Sequence, residues 1–159
     1  MRKVTNSQKA YIAGFLDGDG SVYARLKRND TYKYCYQVAP YIVFYQKKEY
    51  LVYLKKIKEI LGMGYIRIRK DGIIEYIIGD EKSLIEFSKE ISPFSKLKSK
   101  QLRLLLKILE SKKTVENARD FIRLCRLIDR FKDLNYSKKR TQDANLVRKT
   151  LINKGLLTP

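Results

Sequence analysis

The sequence predicts an α+β fold with the element order α-β-β-α-β-β-α, followed by further helices. Two patterns support this class. Apolar residues alternate with polar residues, as in strands, over two pairs of segments, and they recur with a helical period before, between and after these pairs. Turn residues separate the segments of each pair, which predicts two β-hairpins. The 159 residues suit one domain, and we expect 136–159 to form a C-terminal helical extension of it.

The first hairpin and the helix before it are predicted from local signals. A helix is predicted over residues 7–16, with Ser7 as its N-cap and with an Asp-Gly-Asp-Gly run as its stop. Strands are predicted over 21–27 and 34–45 on either side of a polar turn. Pro40 lies within the second strand, and this indicates an edge position or a bulge, because proline has no N–H to donate.

The second hairpin and the remaining helices follow the same logic. A helix over 47–61 should end at Gly62, and strands over 65–69 and 73–78 should flank a turn that contains Asp71 and Gly72. The other helices are predicted over 82–91, 98–111, 115–135 after a Thr114 cap, and 144–154 before Gly155.

The composition is strongly basic. The chain has 35 Lys and Arg against 17 Asp and Glu, which gives a formal charge of +18. This excess favours a polyanionic partner, with nucleic acid first and an acidic membrane surface second. A membrane-surface protein is the weaker alternative, because the basic residues occupy alternating strand positions rather than one long amphipathic helix.

Several classes of protein are excluded by absent residue types. The chain has no histidine, so Ser-His-Asp, Cys-His and histidine-metal sites are excluded. Cys35 and Cys125 are too few for a cysteine-rich zinc site, and we expect reduced core thiols. No apolar run approaches the roughly 20 residues that span a bilayer. With no secretion signal expected, we place the protein inside a cell, in a prokaryotic cytoplasm or an organelle.

The first helix carries a stripe of very small residues. Ala10, Gly14 and Gly18 recur every four residues, although glycine within a helix costs roughly 1 kcal/mol relative to alanine. Such a stripe permits close approach of another backbone. That backbone belongs either to the same helix of a second chain or to a strand of the same chain.

Two carboxylates stand at the end of this helix. Asp17 and Asp19 lie where the helix dipole already places partial negative charge, which disfavours them by a few tenths to about 1 kcal/mol each. A divalent cation would remove the conflict, and carboxylate and carbonyl oxygens suit Mg²⁺. Alternatively, both are solvated turn residues. A two-metal phosphodiester site needs more ligands than one such turn supplies, but two copies would supply them.

The segment with this spacing resembles a family signature. The run Ile12-Ala13-Gly14-Phe15-Leu16-Asp17-Gly18-Asp19-Gly20 is similar to the motif of the LAGLIDADG homing endonucleases. The resemblance implies that family's fold, with a curved antiparallel DNA-binding sheet. One copy of the motif implies the single-motif branch, whose members are homodimers that cut long, nearly palindromic double-stranded DNA and are often intron-encoded. It further implies Mg²⁺-dependent hydrolysis that leaves 3′ overhangs, with Mn²⁺ able to substitute and Ca²⁺ supporting binding without cleavage.

Site residues are carried over on this resemblance. Asp19 and the Gly18 carbonyl would be metal ligands, Gln46 would position the attacking water, and Lys98 would stabilise charge at the scissile phosphate. Tyr50 is a departure, because this branch often has a basic residue there, and Lys47 or Lys48 would have to replace it. The expected dimer interface consists of Ala10, Ala13, Gly14, Asp17 and Gly18.

The DNA-reading residues follow from strand alternation. A basic sheet face can enter the major groove, where arginine suits guanine, glutamine suits adenine and glutamate accepts from cytosine. The predicted base contacts are Tyr23, Arg25, Lys27, Gln37, Tyr41, Arg67, Arg69, Glu75 and Ile77 on the strands, and Asn29, Thr31 and Tyr32 at the first hairpin tip. Lys139 and Arg140 are expected to contact phosphates.

Two other functions stay open at this point. An RNA-binding maturase would bind intron RNA without Mg²⁺-dependent DNA cutting. A non-catalytic DNA-binding protein on the same scaffold is disfavoured by Asp19, since a binder has no need for carboxylates at that helix end.

Overall fold

A computed structural model describes residues 4–136 and 141–158, and it confirms the expected order of elements. The helices and strands are α1 (Asn6–Asp19), β1 (Gly20–Arg28), β2 (Tyr36–Lys47), α2 (Leu51–Leu61), β3 (Tyr65–Ile68), β4 (Ile73–Ile78), α3 (Glu81–Ile91), α4 (Ser99–Lys113), α5 (Ala118–Asp129), α6 (Phe131–Leu134) and α7 (Ala144–Asn153). A 3₁₀ turn, Lys48–Tyr50, precedes α2.

The four strands form one sheet in the order β1-β2-β4-β3. Strand β4 is antiparallel to both β2 and β3. The β2–β4 register begins at Ile42, opposite Ile78, so Pro40 lies beyond the end of β4. Strand β2 is an inner strand, between β1 and β4, so the expectation that Pro40 marks an edge strand is wrong. On the β4 side Pro40 lies outside the paired residues, where its missing N–H breaks no β2–β4 hydrogen bond.

Helix α1 is longer than the sequence indicated at both ends. Its N-cap is Thr5 and not Ser7, because the Thr5 hydroxyl accepts from the Gln8 N–H at 3.2 Å and the Gln8 side chain accepts from the Thr5 N–H at 2.9 Å. At the other end, the Asp-Gly-Asp run continues the helix instead of stopping it, and α1 ends at Asp19. Both aspartates therefore belong to the last helical turn.

The single helix expected over 115–135 is wrong. The chain forms two helices instead, and the cap of the first is Asn117, whose side chain accepts from the Asp120 N–H at 3.0 Å. Ile128 and Phe131 are both fully buried on either side of the break. Because their spacing keeps the helical period, the period alone could not reveal the interruption.

Contacts divide the chain into two compact units. The first contains the residues up to Tyr23 and Tyr41–Leu106, and its core centres on Phe44, whose ring lies 5.3 Å from that of Phe15 and 5.6 Å from that of Tyr76. The second contains Ala24–Pro40 and the residues from Lys107 onward. The expectation of a single domain with a C-terminal extension stays a prediction.

Both cysteines have the buried position that is expected from the sequence. Within the described ranges, Cys35 and Cys125 are both buried and free of disulfides. Burial raises the pKa of the Cys125 thiol, and the nearby Asp129 carboxylate raises it further. None of the helices in 4–136 and 141–158 is long and apolar enough to cross a membrane.

Candidate active site and nucleic-acid interface

The end of α1 meets the end of β2 through one hydrogen bond. Asp19 is the last residue of α1 and is exposed, and Gln46 stands one residue before the end of β2. Gln46 Nε2 donates to Asp19 Oδ2 at 2.8 Å, across 27 residues of sequence. The structure thus brings together two of the three residues to which the sequence assigned catalytic roles, and it orients the Asp19 carboxylate.

The oxygen atoms at this point are suitable ligands for a divalent cation, but the described chain supplies only part of a ligand set. Asp19 and the neighbouring Gly18 carbonyl offer hard oxygen ligands, which Mg²⁺ prefers. In the described parts of the chain, no group of three or more Cys, Asp and Glu residues lies close enough to hold a metal ion. A complete set of ligands would therefore include oxygens from outside the chain, such as phosphates or a second Asp19.

Asp17 is engaged by the segment that leads into α4. Its carboxylate accepts from the Ser95 hydroxyl at 2.6 Å and from the backbone N–H groups of Lys96 at 2.7 Å, Leu97 at 3.1 Å and Lys98 at 3.0 Å. Burial raises the pKa of Asp17, but the hydrogen bonds from Ser95 and the three backbone groups outweigh it, so this pKa is lowered overall. Asp17 therefore connects the backbone at Lys98 to the end of α1.

Ser95 was missed by the sequence reasoning. It is buried, and besides donating to Asp17 its hydroxyl accepts from the Lys98 N–H at 3.2 Å. Serine oxygens commonly accept from a nearby backbone N–H in turns, so a serine in the segment before α4 was a signal available in the sequence.

The small residues of α1 lie on an exposed face. Ala10, Gly14 and Gly18 are exposed, and a Cβ built on either glycine meets no described atom within 4 Å. Ala13 is different, because it is fully buried inside the protomer beside Ile12. Its assignment to the dimer interface is therefore corrected: residue 13 lies about 100° around the helix from Gly14 and points into the core.

Two exposed apolar side chains accompany this face and were not anticipated. Tyr11 on α1 is 63% exposed, and Leu97 is 67% exposed in the segment that binds Asp17.

The outer face of β1 has the alternation that the sequence predicts. Val22 and Leu26 are buried, whereas Arg25 and Lys27 are exposed. On the same side of the sheet, Tyr23 and Tyr41 pack with their ring centroids 5.6 Å apart, and Gln37 is partly exposed. This face is basic and aromatic, which suits contacts with base edges and phosphates.

On β3 and β4, the arginines are organised by a buried carboxylate. Arg67 Nε donates to Glu75 Oε2 at 2.7 Å, and Arg69 Nη1 lies 3.7 Å from Glu75 Oε1. The Glu75 side chain is only 7% exposed. Its oxygens are therefore occupied by arginines, and the expected contact of Glu75 with cytosine is replaced by a positioning role. Arg69 also donates to Asp71 at 2.6 Å.

Ile77 is buried, so it is not available for the base contact that the sequence predicts. It is 5% exposed and lies opposite Tyr65 on one neighbouring strand and Val43 on the other. Tyr65, which is 51% exposed, is the side chain that this part of the face presents. Alternation from Arg67 would have identified Tyr65, because residues two apart share a strand face.

The tip of the first hairpin is held by its own side chains. Asn29 Oδ1 accepts from the Thr31 N–H at 3.0 Å and from its hydroxyl at 2.7 Å. The Asn29 oxygen therefore shapes the turn, and Thr31 and Tyr32 are among the exposed residues there. Lys139 and Arg140 lie outside the described residues, and their expected phosphate contacts stay predictions.

The site where a basic residue was expected is aromatic. Tyr50 is 45% exposed, and its ring centroid lies 6.1 Å from that of Tyr53. Lys47 and Lys48, the alternatives considered for this position, are exposed.

A basic sheet face and a helix end with oxygen ligands and an orienting amide are the features expected of a DNA-cutting protein. Comparison with known proteins gives the family. The profile described as LAGLIDADG endonuclease matches residues 12–109. The chain is 37% identical over 142 residues to DNA endonuclease I-CreI of Chlamydomonas reinhardtii, covering 89% of this chain and 86% of that protein.

A second relative and its crystal structure agree. The chain is 31% identical over 146 residues to DNA endonuclease I-CvuI of Chlorella vulgaris, covering 92% and 91% of the two chains. The structure of I-CvuI bound to the I-CreI target in the presence of Mg aligns with a TM-score of 0.91 and 30% identity over 96% of this chain and 97% of that one. The chain belongs to the LAGLIDADG endonuclease family, and the predicted family and fold class are confirmed.

Proposed function

We propose that the protein is a homing endonuclease that cuts both strands of a long, nearly palindromic DNA site as a homodimer, using a divalent metal ion. The observation that carries this proposal is the 2.8 Å bond from Gln46 to Asp19 at the end of a helix whose glycine face is open. The relatives named as DNA endonucleases support the reaction class.

The open glycines support the homodimer. Gly14 and Gly18 each cost α1 roughly 1 kcal/mol relative to alanine, yet an alanine Cβ would fit within the described chain at both positions. The fold of one protomer therefore does not require glycine there. A second α1 packed on this face would require it, because close helix approach leaves no room for a Cβ. A two-fold axis through this face would bring two Asp19 residues to one place.

DNA reading is assigned to the outer sheet face of each protomer. Arg67 has two of its nitrogens on Glu75, which fixes the guanidinium plane and leaves its outer edge for a guanine in the major groove. Thr31 and Tyr32 at the hairpin tip would reach base pairs farther from the centre. Two identical protomers read two equal half-sites, and the target is therefore nearly palindromic.

The chain's own groups prepare the cleavage. Asp19 and the Gly18 carbonyl would hold a divalent ion, which when bound activates water and stabilises charge on the scissile phosphate. Gln46 fixes the Asp19 carboxylate and would orient that water. Asp17 holds the Lys98 backbone, which fixes the position from which the Lys98 side chain extends, and the Lys98 ammonium would stabilise charge on the phosphate. We further propose 3′ overhangs, activity with Mg²⁺ or Mn²⁺, and binding without cleavage in Ca²⁺.

The test is cleavage of a randomised double-stranded DNA library with Mg²⁺, compared with Ca²⁺ and with Asp19→Asn. We expect enrichment of one long, nearly palindromic site that only the parent protein cuts, and only with Mg²⁺ or Mn²⁺. Selective DNA binding without cutting in any metal would refute the proposal and favour a DNA-binding regulator. Binding of intron RNA alone would favour a maturase. An intracellular location, supported by the two buried free thiols, is part of the same proposal.

A further inference from the structure

The C-terminal helix α7 binds the tip of the first hairpin, residues 29–35, through charged groups. Asp30 Oδ1 accepts from Arg28 Nη2 at 3.0 Å and from Lys154 Nζ at 3.0 Å. Arg28 is the last residue of β1, and Lys154 directly follows α7. A carboxylate of the tip is thus shared by the strand before it and by a helix 124 residues further along the chain.

Hydroxyl groups make a second connection on the other strand. The Thr150 hydroxyl of α7 donates to the Leu146 carbonyl at 3.0 Å, so towards Tyr36 it acts as acceptor, and the Tyr36 hydroxyl lies 3.0 Å from it. Arg28 Nη1 donates to the Thr150 oxygen at 3.3 Å. Tyr36 is the first residue of β2 and is buried. Helix α7 therefore binds both strand ends that flank the tip.

The tip is also fixed by contacts with α5 and the segment before it. The Tyr34 hydroxyl donates to the Glu116 carbonyl at 3.0 Å, and Lys33 Nζ donates to the same oxygen at 3.2 Å. The Tyr34 ring stacks on Phe121 of α5 with centroids 4.9 Å apart. The tip is thus bound by α7, by Phe121 in the first turn of α5 and by Glu116, two residues before α5 begins.

The backbone of the tip is strained, which shows that its surroundings impose its shape. Cys35 is buried and has φ of 60°, a left-handed conformation that costs a non-glycine residue about 1–2 kcal/mol. Two hydrogen bonds hold it there, from the Cys35 N–H to the Tyr32 carbonyl at 2.8 Å and from the Asn29 N–H to the Cys35 carbonyl at 2.9 Å.

From these contacts we propose that α7 is a positioning element for sequence recognition, in which Lys154 and Thr150 hold the hairpin tip so that Thr31 and Tyr32 meet the outer base pairs of each half-site. This rests on the proposed function. Lys154 and Thr150 act through the tip and not on DNA, because Lys154 is directed onto Asp30 and the Thr150 hydroxyl is used by Leu146, Tyr36 and Arg28.

The test uses two variants with matched controls. Lys154→Met removes the ion pair, and Lys149→Met, on the exposed side of the same helix, removes an equal charge. Thr150→Val removes the hydroxyl while keeping the side chain's size, and Thr150→Ser retains the hydroxyl. For each protein, the preference at every base pair of the target is measured by cleavage of a library, and amide hydrogen exchange over 29–35 is measured without DNA.

We expect Lys154→Met and Thr150→Val to reduce discrimination at the outer base pairs by about two- to five-fold each, since exposed pairs are individually weak. Discrimination at the inner base pairs should stay unchanged, and exchange over 29–35 should rise. Thr150→Ser should match the parent. Lys149→Met should at most weaken binding uniformly across targets, because loss of one charge carries no sequence information.

Three results would overturn the proposal. The first is that both variants keep the base-pair preferences and the hydrogen exchange of the parent. If the parent cuts DNA, this result would leave the proposed function intact. Another is uniform weakening by Lys154→Met equal to that of Lys149→Met, which would make Lys154 a phosphate contact. The third is that hydrogen exchange over 29–35 is faster in the variants but the parent cuts no DNA in any metal. Helix α7 would then hold the tip, and the proposed function itself would have failed.

Discussion

Asp17 Oδ1 accepts a hydrogen bond from the Lys98 backbone N–H at 3.0 Å, across 81 residues of sequence. One end of this contact is in the last turn of the helix with the open glycine face, and the other is in the segment with the lysine assigned to charge stabilisation. The two aspartates of the motif therefore have different roles. Asp19 is directed towards Gln46, and Asp17 builds the scaffold that supports Lys98.

The first prediction concerns this scaffold. Asp17→Asn should lower the free energy of unfolding by about 1–3 kcal/mol, because an amide cannot accept all four hydrogen bonds and its own N–H groups face donors. Urea unfolding at neutral pH would measure the difference, with Asp133→Asn on α6 as the exposed control. A variant as stable as the parent would contradict the scaffold role.

The pH dependence of this difference has a defined sign. The folded pKa of Asp17 lies below its ordinary value of 3.8, so its contribution is fully present above that value and is lost as the pH falls through the folded pKa. The stability gap between the parent and Asp17→Asn should therefore be constant near neutrality and narrow at acidic pH. A gap that widens on acidification would show that the carboxylate is not held in its charged form.

The second prediction separates the two residues at the end of α1. Asp19→Asn should abolish cleavage while DNA binding persists, because it removes the proposed metal ligand and leaves the sheet unchanged. Gln46→Ala should reduce the cleavage rate by about 10- to 100-fold, the usual effect of losing a group that orients a metal ligand. Single-turnover cleavage and a binding titration in Ca²⁺ would measure the two quantities. Equal loss of binding in both variants would contradict these roles.

The third prediction concerns assembly. Gly14→Leu should leave each protomer folded, since a side chain at this position points into open space in the described chain. It should prevent dimerisation and therefore cleavage, because the two α1 helices could not approach. Sedimentation velocity and circular dichroism would test both statements together. Lys89→Leu, on the exposed side of α3, is the control for an added surface leucine and should remain dimeric.

The fourth prediction concerns Glu75. Glu75→Gln should remove most of the discrimination at the base pair that Arg67 reads, which for a bidentate arginine amounts to about 1–3 kcal/mol. The physical reason is that Glu75 Oε2 binds both Nε and Nη2 of Arg67 and so fixes the orientation of its guanidinium group. Cleavage of targets that vary at single base pairs would show whether the loss is confined to one position per half-site. A loss equal to that of Arg67→Ala at all positions would indicate a general loss of fold instead.

The sequence by itself determined the class of protein and most of the elements. The charge predicted a nucleic-acid partner, the resemblance of the α1 segment to the LAGLIDADG motif implied DNA cutting, and hairpins with sharp turn residues predicted the strands. These features are local: a left-handed glycine such as Gly62, with φ of 67°, ends a helix whatever surrounds it. The exposed face of β1 also followed from alternation alone.

Only the tertiary structure decided which residues far apart in sequence contact each other, and therefore what role each side chain has. The sequence assigned Ala13 to the dimer interface and Glu75 to a contact with cytosine. In the structure, Ala13 is buried in the core and Glu75 is paired with two arginines. Nothing in the sequence indicated that Asp17 would bind the segment before α4, or that Lys154 would reach the first hairpin. The reason is physical: periodicity reports which face of an element is apolar, whereas the partner of a polar group is fixed only when elements far apart in sequence pack together.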